Sequence, residues 1–287
     1  MSETVGALLD ALAEQLAGPG VPPARAEARD LIAAVLDQPR FWPSAHREDA
    51  LVPHDAERIR AAASRRREGM PLQYAVGRAP FRHLTLQVDP RVLIPRPETE
   101  VLVDLVLAAT AGGRGRVVDV GTGSGAIALA LAAEGAFDAV DAIDLSVDAL
   151  AVARANLAAI PPDRRDRVHF HHGALLAPVA GQSFGAVVSN PPYISPAEAE
   201  ALPRLVRDWE PAMALFAAEE GMAIIRALVP QAAGVLLPGG LLALEVDARR
   251  ADLAAAAVQD DGRFTAVETR PDLTGRPRFV VARRQEM

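Results

Sequence analysis

The chain of 287 residues has no cysteine and no lysine, and only 4% of it is aromatic. Without cysteine there is no disulfide, no thiolate metal site and no thiol nucleophile. Without lysine, all 30 basic residues are Arg, a bias from which no function follows. A run of 18 or more apolar residues is missing, and the start lacks the basic stretch and cleavage site of a secretory leader. Neither a membrane span nor a signal peptide is therefore expected, and the expected location is cytoplasmic. Positive charge is also short. The net charge of −7 and pI near 5.4 argue against broad binding to a phosphate backbone or any stable nucleic-acid complex. What the chain does have is apolar content: 50% of its residues, with mean hydropathy +0.12, enough for a full core. Its length suits one large domain and one smaller one.

The first third reads as helical. Ser2 is placed to cap a helix whose Val5, Leu8, Leu9, Leu12 and Leu16 share a face, and Gly18 with Pro19 ends it. A second helix begins near Pro23 and presents Ala28, Leu31, Ile32 and Val35. A third, capped by Asp55, runs through Ile59 to about Arg67. Arg65, Arg66 and Arg67 read as a solvated helix end near the negative pole of the dipole, not as a nucleic-acid patch. The bundle is too short to be an enzyme and reads as a recognition module. Beyond it, Leu84, Leu86 and Val88 alternate with polar residues, and Val92, Leu93 and Ile94 follow a turn at Asp89 and Pro90. The pattern predicts a β-hairpin joining two domains. Pro97 then opens an apolar helix, with Glu98 and Glu100 at its positive end. Neither Arg96 nor the two prolines beside it are explained by a good helix start alone.

From Gly115 strands and helices alternate, the pattern of a mainly parallel sheet. A strand over 116–120 leads into Gly121, Thr122, Gly123, Ser124 and Gly125, then a helix of small apolar residues. Glycines at a helix start let a ligand approach main-chain N–H groups. Ala126 stands where the dinucleotide fingerprint wants its third glycine, which disfavours a dehydrogenase. A second strand ends in Asp144, nineteen residues after Gly125, where a carboxylate can accept both hydroxyl protons of a ribose. Further strands are expected over 168–171, 184–188, 241–246, 265–269 and 278–282, with Pro238, Gly239 and Gly240 as a turn. His169 and His171 share a strand face, but no carboxylate sits at ligand spacing, so they and His172 read as polar residues and no metal is expected.

The strand over 184–188 stops at Ser189, Asn190, Pro191, Pro192 and Tyr193. Two prolines cannot continue a ladder, and each fixes φ near −65°. Carbonyls are thus held outward in a stiff geometry beside one side-chain amide. That suits a planar –NH2 group: Asn190 Oδ1 and the Pro191 carbonyl each take one proton, and Tyr193 packs on the flat face. A tight turn with a buried Tyr is the plainer alternative.

The glycine turn, Asp119 and Asp144 together are similar to class I methyltransferases that use S-adenosyl-L-methionine and release S-adenosyl-L-homocysteine. The resemblance implies a Rossmann-like α/β fold: a seven-stranded sheet with an antiparallel strand near one edge, plus a small N-terminal helical domain. A wider set narrows it: Pro71 to Tyr74, Gly77, Phe81, Leu93 to Glu100, Asp119 to Gly125, Asn190 to Tyr193, Trp209 to Pro211, Pro238 to Gly240 and Asp272 to Arg276. The chain resembles the bacterial release factor glutamine methyltransferases over nearly its whole length. This implies methylation of the side-chain amide (N5) of the Gln in the Gly-Gly-Gln loop of peptide chain release factors. The implied bounds are 1–70 for substrate recognition, 71–96 for a hairpin linker and 97–287 for methyl transfer, in a monomer. Catalysis falls to Asn190, Pro191 and Tyr193, with Pro192 and Arg96 also at the substrate. Asp119, Gly121, Thr122, Gly123, Ser124, Gly125, Asp144, Leu145, Ala174, Leu175 and Asn190 are expected at the cofactor. Departures are Ala174, where an acid is usual, Ala217 with Ala218 for a Gly pair, and Asp247 for a Gly. Competing classes are an amino-group nucleic-acid methyltransferase, which shares the Asn190 to Tyr193 motif, a ribosomal-protein glutamine methyltransferase, and a non-catalytic cofactor binder.

Overall fold

The structure is a computed structural model describing residues 3–17, 24–110 and 115–286. The expected cap at Ser2, stop at Gly18 and Pro19, and start at Pro23 lie outside the described residues. The chain forms two compact units: Met1–Arg78 with Arg204–Trp209, and Ala79–Pro203 with Glu210–Met287.

In the first unit α1 (Val5–Gln15), α2 (Ala24–Leu36), α3 (Trp42–Ala45), α4 (Pro53–Arg67) and α5 (Leu72–Val76) follow one another. The expected apolar stripe is present: Val5, Leu8, Leu9, Leu12, Leu16, Leu31, Ile32 and Ile59 make one buried cluster. Thr4 caps α1, its hydroxyl accepting from Ala7 N at 3.2 Å. Asp55 is not the cap of α4, which begins at Pro53. Proline wastes no N–H in a first turn, and Asp55 sits inside that turn at the positive end of the dipole. Nor is the arginine run a solvated end throughout. The guanidinium of Arg66 pairs with the buried Glu27, and Arg65 Nη2 donates to the Ala75 carbonyl at 2.6 Å. Arg67 alone fits the expected reading, since two of the three side chains close the unit on itself.

The second unit, from Ala79 on, holds a hairpin of β1 (Arg78–Phe81, its first residue the last of the first unit) and β2 (Leu84–Gln87), then α6 (Pro97–Thr110), β3 (Arg116–Val120), α7 (Ala126–Glu134), β4 (Ala139–Asp144), α8 (Val147–Asn156), β5 (Val168–His172) and β6 (Phe184–Ser189). After the loop segment come a helix over Ala223–Val235, β7 (Leu236–Glu245), a helix over Ala251–Asp260, β8 (Phe264–Pro271) and β9 (Pro277–Arg284). The seven strands run in the order β5-β4-β3-β6-β7-β9-β8. β9 is antiparallel to both neighbours, and the other described pairings in this sheet are parallel. The fold is therefore the expected one. Successive residues face opposite sides of a strand. Val117, Val140, Ala186, Val188 and Ala243 pack with α6 and α7, whereas Val118, Val120, Ile143, Val187, Leu242 and Leu244 pack with the two later helices. Both faces are covered, which is why these strands read as continuous apolar runs.

Two local expectations are corrected. The hairpin partner of 84–87 is the stretch before it, Arg78–Phe81, and residues 92–94 form no strand. Pro90, Pro95 and Pro97 crowd that segment and deny it ladder donors. Val92 and Ile94 are buried as loop residues instead. The Pro238, Gly239 and Gly240 segment lies within β7, not in a turn before it. The register against β6 jumps from Leu236 to Leu241 there, a bulge that Gly239, at φ 73°, makes sterically cheap.

Candidate active site

Sheet order explains where a ligand can sit. β3 is followed outward by β4 and β5 on one side and abuts β6 on the other, so the connections diverge above the β3/β6 boundary. Open α/β sheets bind ligands in that crevice, at the carboxyl ends of the strands. Val120 pairs with Ser189, and Ser189 with Leu244. The next residues along, Gly121, Asn190 and Glu245, therefore stand side by side on the crest. The Ser189 hydroxyl donates to the Val120 carbonyl at 2.6 Å and fixes that alignment.

The glycine turn is built as its spacing implies. Gly121, Gly123 and Gly125 have φ of 77°, 54° and 85°, a region that L side chains avoid. The N–H groups of Gly121 and Thr122 both donate to the Ile143 carbonyl at 2.9 Å. Asp144 accepts from Gly123 N and from Ser146 N, each at 2.8 Å. Each of its oxygens keeps a lone pair for a hydroxyl. Asp119 is fully buried; its Oδ2 accepts from the Thr122 hydroxyl at 2.7 Å and from Ala128 N at 3.2 Å, while Oδ1 has no partner. Burial pushes this carboxyl up to about 7, and the two hydrogen bonds only temper the rise. A buried acceptor left unpaired is costly, and a cationic ligand above the turn would complete it. The adjacent Leu145 is 55% exposed, an apolar face beside Asp144 that suits a flat base. Ala174 is exposed, and Leu175, at φ 49°, is half-buried against the core rather than standing free.

Sequence reasoning missed one support of the turn. Asn156, at the end of α8, is buried and uses its whole amide: Oδ1 accepts from Gln87 N at 2.6 Å, and Nδ2 donates to Gln87 O at 3.0 Å and Ser124 O at 2.9 Å. Nothing in the sequence marks it, because an Asn near a helix end is usually a cap or a solvated residue.

At the Asn190 corner, Nδ2 donates to the hydroxyl of Thr99, in the first turn of α6, at 3.2 Å. Oδ1 is left uncommitted. Glu245, the residue after Leu244 along β7, is 1% exposed, and its Oε2 has no hydrogen-bond partner. Burial pushes Glu245 up to about 7; Thr99 and the positive charge of Arg278 act against the shift. Pro191 is buried, and Pro192 and Tyr193 are half-buried. Burial, with the Glu245 charge, pushes the Tyr193 phenol up to about 12, so it stays neutral. Arg96 gives its Nη2 to both oxygens of buried Glu210, at 2.7 and 2.8 Å. That pairing ties the segment before α6 to the loop that follows β6.

The lip of the site is clamped. Ile194 N donates to Leu215 O at 3.0 Å, and Ala217 N to Ile194 O at 2.9 Å. Gly221 has φ 89°, and a Cβ there would lie 2.1 Å from the Tyr193 carbonyl oxygen. Buried Arg250 reaches the Glu220 carbonyl at 2.6 Å and the Glu198 carboxylate at 2.5 Å. The histidines of β5 are used otherwise: His171 Nε2 lies 2.7 Å from Asp141, which also takes Arg116 at 2.8 Å. Among the described residues no cluster of metal-ligand side chains occurs. A depression at the opposite ends of the strands is lined by Glu134, Asp138, Arg164 and Arg167. Its arginines bond the Gly135 and Phe137 carbonyls of its own wall, so its cations are already engaged.

Two family models match the chain, one described as Methyltransferase small domain over residues 97–210, the other as PrmC N-terminal domain over residues 7–77. The chain is 43% identical over 233 residues to a release factor glutamine methyltransferase of Gloeobacter violaceus, covering 79% of this chain and 80% of that one. It is 38% identical over 283 residues to a release factor glutamine methyltransferase of Koribacter versatilis, covering 98% and 99%. A methyltransferase structure from Pyrococcus furiosus shares the fold, with a TM-score of 0.52 at 18% identity over 71% of this chain and 90% of that one.

Proposed function

Because the chain belongs to the release factor glutamine methyltransferases, we propose that its crest transfers a methyl group to the side-chain amide nitrogen of the Gly-Gly-Gln glutamine of release factors. The methyl donor in this reading is S-adenosyl-L-methionine, which supplies an electrophilic methyl on a positively charged sulfur. The residues present fit it. The unpaired Oδ1 of Asp119 answers the positive charge, the lone pairs of Asp144 answer the ribose hydroxyls, and Leu145 offers an apolar face to the base. The glycine turn keeps side chains out of the approach to Gly123. Residues 1–70 serve recognition in this reading, 97–287 methyl transfer, and 71–96 connect them.

The observation that carries the chemistry is the Asn190 amide, with Nδ2 engaged by Thr99 and Oδ1 free beside the glycine turn. A carboxamide nitrogen is a poor nucleophile, because its lone pair is delocalised into the carbonyl. Asn190 Oδ1 and the Pro191 carbonyl accept its two protons, aim the lone pair and raise its electron density. Tyr193, neutral and half-buried, packs against the amide plane. Catalysis is mostly positioning and electrostatics. The amide proton becomes acidic only as the N–C bond forms, and its loss to water suffices. Asn190→Ala is expected to lower kcat by about 100-fold or more, the scale of losing one preorganised polar group, with cofactor affinity by calorimetry nearly unchanged. Equal loss of turnover and affinity would remove Asn190 from this role.

A further inference from the structure

We propose that Arg250 is a positioning residue for Tyr193. Its buried guanidinium fixes the Tyr193 peptide unit from two sides, and through it the ring that packs on the substrate amide. The role given to that ring rests on the methyltransferase reading above.

The first side is the chain that leaves the corner. Arg250 Nη2 meets Glu198 Oε2 at 2.5 Å. The same oxygen accepts from Ser195 N at 3.0 Å, within the capping box that opens the short 3-10 turn Pro196–Ala201. Ser195 follows Tyr193 with only Ile194 between them. The second side is the turn that faces the corner. Glu219, Glu220 and Gly221 have φ of 53°, 57° and 89°. Two successive side-chain-bearing residues in that region are rare, so the turn needs an external hold. Arg250 Nε supplies it by donating to the Glu220 carbonyl at 2.6 Å. The turn sets Gly221 against the corner: a Cβ there would lie 2.1 Å from the Tyr193 carbonyl oxygen and 2.5 Å from Arg250 Nε. Guanidinium, glycine and the Tyr193 carbonyl therefore converge on one point.

A buried guanidinium needs its charge answered. Glu198 cannot do this alone, because its Oε1 is taken by Arg249 Nη1 at 2.5 Å. Asp247 brings the second negative charge. Its Oδ1 accepts from Arg249 N at 3.0 Å and from Arg249 Nε at 2.7 Å, and stands 3.6 Å from Arg250 Nη1. Asp247 is one of the departures noted in the sequence, at a place where a Gly is common. The departure completes the clamp, since two arginines now face two carboxylates. A Lys at 250 would keep the charge but offer a single nitrogen, which cannot hold the carboxylate and the carbonyl in one fixed fork.

The chain has two tyrosines. The full chain labelled with fluorotyrosine therefore gives one fluorine NMR line from Tyr193 and one from Tyr74, assigned with Tyr193→Phe. Arg250→Lys should shift or broaden the Tyr193 line and leave the Tyr74 line in place. Glu198→Gln should move the same line, and carries the readout where the lysine variant fails to fold. In methyl transfer to a bacterial release factor, Arg250→Lys should lower kcat about tenfold, the effect of one lost positioned hydrogen bond, with cofactor affinity by calorimetry held within about twofold. A general loosening of the fold would move both tyrosine lines together, or lower the fraction of protein that binds cofactor. Either result would overturn the proposal. So would a Tyr193 line indifferent to both variants, or an Arg250→Lys enzyme at full turnover. The spectra require no methyl transfer. If the wild type transfers none to the release factor, the functional reading fails, and the spectra still decide whether Arg250 holds Tyr193. Transfer by the wild type with an unmoved Tyr193 line removes the positioning role alone.

Discussion

Asp119 is a residue whose carboxyl burial moves well out of its ordinary range. Unfolded, its carboxyl titrates near 3.8; folded, burial pushes it up to about 7. Between those values the folded state binds more protons than the unfolded one. Its contribution to stability is therefore complete below 3.8 and is lost as pH rises through about 7. Asp119→Asn is expected to flatten the decline in stability across that window, read by chemical unfolding at several pH values. A cationic ligand reverses the preference and favours the carboxylate. Cofactor binding near pH 7 should thus release protons, seen by calorimetry in buffers of different ionisation enthalpy, and Asp119→Asn should abolish the release. Which residues were legible follows from distance along the chain. Asp119, the three glycines, Asp144 and Asn190 announce themselves because each belongs to a short motif at a strand end. Thr99 and Asn156 do not. They meet their partners only through strand register or helix packing, at separations of 91 residues for Thr99 with Asn190 and 69 for Asn156 with Gln87.

Elements place these residues, and two contacts should be sensitive to single changes. Gly221 carries the lip of the loop against the Tyr193 carbonyl, with no room for a Cβ and a φ that disfavours one. Gly221→Ala is expected to cost about 2–4 kcal/mol in unfolding free energy, the range of severe steric and backbone conflicts. It should also lower turnover more than cofactor affinity, because the Asn190 to Tyr193 corner must move. Asn156→Ala leaves the Gln87 N–H and the Ser124 carbonyl without their partner. It should destabilise by about 1–3 kcal/mol and weaken the cofactor with little change in kcat at saturation. Strands buried on both faces were readable because their apolar runs have few other uses. The hairpin pairing is hidden in the sequence, since Val92 and Ile94 look like a strand and are buried, yet prolines on both sides remove the ladder. The Pro-Gly-Gly stretch of β7 is ambiguous for the converse reason: turn residues also make bulges.

At the scale of the whole molecule, composition constrained partners better than it identified them. The arginine excess over lysine suggested nothing, and the basic run of the first unit turns out to serve Glu27 and Ala75. Alternating strands and helices gave the sheet, and the order of its strands gave the crevice. No described helix is long and apolar enough to cross a membrane. The choice of a protein amide as substrate, rather than a nucleobase with the same –NH2 geometry, is not written in the Asn190 corner, since either would fit its two acceptors. It comes from kinship along the whole chain. The central claim is best tested by transfer of labelled methyl from S-adenosyl-L-methionine to a purified bacterial release factor. A factor with Gln→Ala in its Gly-Gly-Gln loop and a mixture of DNA and RNA would stand alongside. The account predicts label on the wild-type factor and none on the other two. Label on nucleic acid, or on the Gln→Ala factor as strongly as on the wild type, would contradict it.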